Sequence, residues 1–150
     1  MNKFVSFNGI GYLAATFPVS KAAQQYLKKE HTKASTGNVD VNGKNLAVKL
    51  NNDGTVGFGA STPTSEDALL GILIAYEMDG FATIQVKGGI DEVPTKSEIT
   101  TGLKSLVVNN KGQIEELDAK IDASSLTKGG KETFVVLPSE SNNLYASIIL

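Results

Sequence analysis

The chain has 150 residues, 41% of them apolar, a net charge of −2 and no Cys. That is enough chain to bury one core without staples, disulfides and thiolate metal sites are excluded, and no apolar run reaches the roughly eighteen residues of a membrane-spanning helix. All fourteen basic residues are Lys, and His31 is the only imidazole, so bidentate guanidinium recognition of phosphate or guanine is absent.

The N-terminal stretch MNKFVSFNGIGYLAATF lacks a strongly basic start, a continuous apolar run and an A-x-A cleavage site, and is not expected to be a signal peptide. Within it GIGYLA, Gly9 to Ala14, fits G-x-G-x-x-A behind the strand-like KFVSF, the pattern that can cradle a pyrophosphate at a helix N-terminus. The context argues against a nucleotide. Pro18 would cut such a helix after about two turns, no acidic residue follows about twenty positions on in a second strand, and no βαβ alternation follows. The expectation is a bend that Gly permits, with no cofactor.

SKAAQQYLKK, residues 20–29, is the best helix: Ala22, Ala23, Tyr26 and Leu27 share a face and Ser20 can cap it after Pro18. Residues 1–35 hold Phe4, Phe7, Tyr12, Phe17 and Tyr26, half of the ten aromatics, with little alternation. They are expected to form an N-terminal arm or a core-covering flap, ahead of one β-rich unit over residues 36–150. Phe4, Phe7, Tyr12 and Phe17 are the candidate contact residues toward a partner or another subunit, because interfaces are enriched in aromatics. Lys28, Lys29 and Lys33 cluster with His31, but without Arg or interleaved aromatics no nucleic-acid binding is expected. His31 has no second ligand nearby for a metal.

Short alternating runs then dominate. VDV (39–41) is a possible strand. Leu46, Val48 and Leu50 alternate with Ala47 and Lys49, which predicts a half-buried strand. Asn51-Asn52-Asp53-Gly54 suits a type I turn ending in a left-handed residue, after which Val56 and Phe58 return. TSEDALLG (64–71) predicts one helical turn. GILIAY (71–76) is apolar on both faces, the Asp79-Gly80 pair turns the chain, and ATIQVK (82–87) puts Ala82, Ile84 and Val86 inward and Thr83, Gln85 and Lys87 outward. Leu106-Val107-Val108 leads into Asn109-Asn110-Lys111-Gly112 and Ile114, repeating the first turn. QIEELDAKIDA (113–123) has Leu117 and Ile121 four apart, consistent with a short helix. TFVVL (133–137) and LYASIIL (144–150) close the chain as strands. The pattern predicts a mainly β fold, a small antiparallel β-barrel or β-sandwich of short hairpins with one short N-terminal helix.

Catalytic constellations are missing. Glu66-Asp67, Glu77 with Asp79, Asp91-Glu92 and Glu115-Glu116 with Asp118 each adjoin a turn, where carboxylates are ordinarily solvated rather than tuned for acid–base work. There is no calcium loop of the D-x-[DN]-x-[DN]-G type and no G-x-S-x-G elbow. The expectation is a protein without enzymatic activity. Charge is uneven: residues 1–50 carry seven Lys against Glu30 and Asp40, and residues 51–100 carry Lys87 and Lys96 against eight acids, an asymmetry able to guide docking.

Taken in order, GKNLAVKLNNDGTVGFG, EDALLGILIAYEMDGFATIQVKGGIDEV, ITTGLKSLVVNNKGQIEEL and GGKETFVVLP resemble the small β-rich bacteriophage head proteins that decorate and stabilise capsids. The corresponding elements are residues 43–56, 70–74, 79–88, 99–114 and 130–137, about two-thirds of the chain. The N-terminal segment and the final LYASIIL are additions to that pattern. The resemblance implies a decoration or cement protein on the capsid exterior of a virion, assembled in the host cytoplasm. Its partner would be the major capsid protein, with no nucleic acid, membrane or cofactor. An exposed apolar terminal strand is an aggregation hazard, so LYASIIL must be buried in its own fold or paired with a neighbour, and a homo-oligomer is expected. The alternative reading is a β-barrel binding module of a phage tail or fibre that recognises protein or carbohydrate.

Overall fold

The computed structural model describes residues 11–28, 44–77, 79–117 and 130–150. Ten strands form two five-stranded sheets, every neighbouring pair antiparallel. The first sheet runs β1 (Leu13–Pro18), β5 (Phe81–Lys87), β4 (Gly71–Glu77), β2 (Ala47–Leu50) and β3 (Val56–Gly57) in spatial order. The second runs β6 (Gly89–Pro94), β10 (Tyr145–Ile149), β9 (Lys131–Leu137), β7 (Gly102–Val108) and β8 (Ile114–Glu116). Among the described residues the one α-helix, α1, covers residues 21–28. The architecture is mainly β and sandwich-like. An isolated bridge between Thr95 and Ile114 ties the edges of the second sheet together at one end.

The burial pattern defines three layers. Ile90, Val93, Leu106, Val108, Ile114, Val135, Ala146 and Ile148 of the second sheet meet Ala47 and Ile72 of the first in one apolar cluster. On the far side of the first sheet, Val19, Ala23 and Leu27 pack against Leu46, Val48, Leu73, Tyr76, Ala82 and Ile84. The α1 face that carries Ala23 and Leu27 therefore covers a sheet already buried on its other side. Ser20 opens α1 as expected: its Oγ accepts the Ala23 N–H at 3.3 Å and its carbonyl accepts the Gln24 N–H at 2.8 Å. Phe58 touches both clusters and meets Tyr26 edge-to-face at 5.1 Å.

The repeated turn closes a hairpin in each sheet. Asn51 N–H donates to Thr55 O (2.8 Å) and Gly54 N–H to Asn51 O (3.0 Å); Asn109 N–H donates to Gln113 O (3.0 Å) and Gly112 N–H to Asn109 O (3.4 Å). Gly54 and Gly112 sit at φ +83° and +73°, where a side chain would be strained. One turn joins β2 to β3 and the other β7 to β8, at the edges of opposite sheets. The second turn also stitches the sheets, since Ala47 N–H donates to Gly112 O (2.8 Å) and Gly59 N–H to Asn109 O (3.2 Å).

Several expectations change. Leu46 and Val48 are buried, but Ala47 is too, because β2 lies between both clusters, and Leu50 at the end of β2 is exposed. Gln85 is buried rather than outward, because the second sheet covers that face of β5; its Nε2 donates to the carbonyls of Lys87 and Gly89. Residues 114–116 are strand, paired with β7, although the spacing of Leu117 and Ile121 is consistent with a short helix over 113–123; the remainder of that stretch from 118 lies outside the described residues. TSEDALLG does hold a 3-10 turn, Ser65–Asp67, with Thr64 and Asp67 forming a capping box. LYASIIL is not an edge: β10 lies between β6 and β9, so the terminal strand is satisfied within its own sheet. Of GIGYLA, Gly11 and Tyr12 lead into β1 and not a helix; Gly9 and Ile10 lie outside the described residues. VDV and His31 lie outside the described residues.

Candidate docking face

The acids expected to be solvated include one that is not. Asp67 is buried, and its carboxylate accepts from Lys49 Nζ (2.8 Å), the Thr64 N–H (3.0 Å) and the Ala60 N–H (3.5 Å). Burial raises its pKa, but the Lys49 ammonium and these N–H groups outweigh burial and hold the carboxyl below its ordinary value. Asp67 is fully engaged in pinning the loop from Gly59 to Thr64 against β2. Elsewhere Asp53 is held low by the Thr55 hydroxyl and N–H, Lys131 is lowered by burial, and the Tyr76 phenol is raised by burial and the Asp79 charge. A hollow of about 300 Å³ is lined by Lys49, Leu50, Asn51, Asn52 and Glu66; its Lys49 is already committed to Asp67. Among the described residues no group of three or more His, Asp or Glu is placed to hold a metal ion, and no helix is long and apolar enough to cross a membrane.

The surface is more informative. In β7 and β9, Leu103 and Phe134 are directly paired, and Phe134 is also paired with Ile149 of β10. Side chains directly opposite on neighbouring strands share a face. These three therefore form one apolar row across three strands, on the face opposite inward Val135 and Ile148. Leu103 and Phe134 are 52% and 55% exposed and Ile149 is half-buried. The next outward pair along the strands, Ser105 and Glu132, is polar. An exposed apolar row bordered by polar residues on one side is a candidate interaction patch.

The four aromatic candidates separate. Phe4 and Phe7 lie outside the described residues. Tyr12, just ahead of β1, is 64% exposed. Phe17 is half-buried in β1 and packs on the helix-side cluster, paired with Ala82, so it contributes to the core as well as to the surface. Sequence reasoning did not single out Leu103, Phe134 or Ile149. Alternation in KETFVVL, counted from inward Val135, would have pointed Phe134 outward; that Leu103 and Ile149 flank it is a matter of register. Comparison of the chain with protein-family models, with curated proteins and with solved structures gives no match.

Proposed function

We propose that the chain is a non-enzymatic virion structural protein that binds the outer surface of an assembled phage capsid and stabilises it. The observation that carries the reading is the outward Leu103–Phe134–Ile149 row on the second sheet, whose inner face is packed against the first. The order of strands and turns that resembles capsid decoration proteins supports it. A face of this kind binds without chemistry: each copy contributes a modest contact, and many copies on a lattice act multivalently. A ligand of the assembled state alone stabilises that state by mass action.

The test is co-sedimentation of the purified chain with capsids that lack it, across a concentration series. Saturation at a fixed small ratio to the major capsid protein, with a raised capsid melting temperature, is the expected result. Phe134→Asp should weaken pelleting by about tenfold or more while leaving the urea midpoint of the free protein unchanged. Absence of pelleting at any concentration removes this reading and shifts the weight to a tail or fibre binding module.

A further inference from the structure

The charges beside the Leu103–Phe134–Ile149 row are of one sign. On one side, two residues back along β9, lies exposed Glu132, paired across the strands with Ser105. β6 extends the row at its far end, where Gly89 is directly opposite Ile149. Two residues on from Gly89 stands Asp91, whose Oδ1 accepts the Ser147 hydroxyl at 2.6 Å, and exposed Glu92 follows it. Because β9 and β10 are antiparallel, as are β10 and β6, Asp91 and Glu92 fall on the side of the row away from Glu132. At about 3.4 Å per residue, Glu132 and Asp91 each lie roughly 7 Å from the row along their strands. Alternation sends the lysines of these strands the other way. Lys104 and Lys131 are paired with Thr133 and Leu106, on the inner face that carries Val135 and Ile148. Lys96 lies beyond β7 at the β8 edge, 4.0 Å from Glu115, and Lys87 belongs to the first sheet, opposite Leu13. Among the described residues Glu92 and Glu132 form no ion pair.

We propose that this face docks on a basic protein surface: an apolar recess that takes Phe134, with Lys or Arg side chains on both sides of it. The inference rests on the capsid reading for the identity of the partner and adds the chemistry that the capsid subunit presents. Charge complementarity selects that partner. Closing the face onto another protein brings Glu132 and Asp91 to the margin of the contact, where they are screened less than in open solvent. An acidic partner would set like charge against like on both flanks, which costs affinity and slows encounter; a basic one is steered onto the face. The apolar row supplies the anchor, and the acids on its two sides supply the choice of partner and of orientation. The net charge of the whole chain is only −2, so the attraction comes from this local arrangement. Asp91 and Glu92 belong to the acid-rich block of residues 51–100, and the fold carries that part of the block to the border of the docking row.

Co-sedimentation of the full chain with capsids that lack it, repeated at ionic strengths from about 0.05 to 0.5 M, tests this. Half-saturation should move to higher concentration as salt rises. Glu132→Lys should weaken pelleting by about tenfold at low salt and flatten the salt dependence. Glu132→Gln should act in the same direction by a smaller factor. Both should keep the urea midpoint of the free protein, because Glu132 is exposed. Glu66→Lys makes the same change in net charge at an exposed position of the 3-10 turn and should leave pelleting as it is. Saturable pelleting that is indifferent to salt and to Glu132→Lys, that is tightened by Glu132→Lys, or that is weakened equally by Glu66→Lys overturns the basic partner and leaves the capsid reading standing. No pelleting at any ionic strength removes both.

Discussion

Removing the Asp67 carboxylate is the sharpest probe of how the first sheet holds its loop. Asp67→Ala deletes a 2.8 Å ion pair with Lys49 and a 3.0 Å bond from the Thr64 N–H; the Ala60 N–H contact, at 3.5 Å, is weak. A hydrogen bond to a charged partner contributes about 1.5–3 kcal/mol, and loss of a cap bond about 1 kcal/mol. The Lys49 side chain keeps 18% of its exposure, so the ammonium left behind is rehydrated in part and the cost falls short of that for a fully buried pair. The expected loss is roughly 2–3 kcal/mol, or a fall of about 5–10 °C in Tm for a chain of this length. Lys49→Met should cost less, about 1–2 kcal/mol, because the carboxylate retains its amide donors. Urea denaturation of both single variants and the double variant measures this, with a coupling energy of about 1 kcal/mol expected. If Asp67→Ala falls within about 0.5 kcal/mol of wild type, or Lys49→Met costs more than Asp67→Ala, the carboxylate is not the staple described here. The same group predicts a pH dependence. Its folded pKa is depressed from 3.8, so its contribution is complete above that value and is lost as pH falls through the lower folded value. Asp67→Asn should therefore flatten the wild-type decline in stability below about pH 4.

Other expected outcomes follow from single positions. Leu27→Ala should cost about 2–4 kcal/mol, since Leu27 is fully buried in the helix-side cluster; a loss under about 1 kcal/mol in a urea titration would make α1 an arm and not a core layer. Gly71→Ala would press a methyl group against the Gln85 carbonyl and to within 2.9 Å of Ile84 Cγ2. Forcing β4 and β5 apart should cost about 3 kcal/mol or more, read as a lost or shifted unfolding transition; near-wild-type stability would contradict this packing. Glu92 holds a left-handed backbone at φ +56°, so Glu92→Gly should raise stability by about 0.5–1 kcal/mol after the entropy of Gly is counted. A lower urea midpoint would refute that.

Much of the architecture was legible from local patterns, and the misses have identifiable causes. ATIQVK and GILIAY read as a hairpin because their alternation and the Asp-Gly turn are local properties of the chain. The two Asn-Asn-x-Gly turns read correctly for the same reason. β1 and β6 went unread: LAATFP lacks alternation, and GIDEVP carries two acids and a proline that count against a strand by propensity. Both are edge strands among the described residues, held there by one neighbour each, where such residues are tolerated. Asp67 looked like a solvated turn acid because nothing near it in sequence announces Lys49, eighteen positions earlier. The candidate docking row was hidden in the same way, since Leu103, Phe134 and Ile149 meet only through strand pairing.

The sequence by itself determined the class of fold, the capping of α1 by Ser20, the hairpin turns and the absence of disulfides. These depend on backbone preferences and on spacing within a few residues. Tertiary structure alone decided which faces are covered. Ala47 and Gln85 are buried because the second sheet lies over the first; β10 is central because β6 and β9 close on either side of it; β1 borders the first sheet among the described residues. Burial of a strand face depends on what lies about 10 Å away across the layer, and the partner there comes from a distant part of the chain, beyond what alternation in the strand itself can specify.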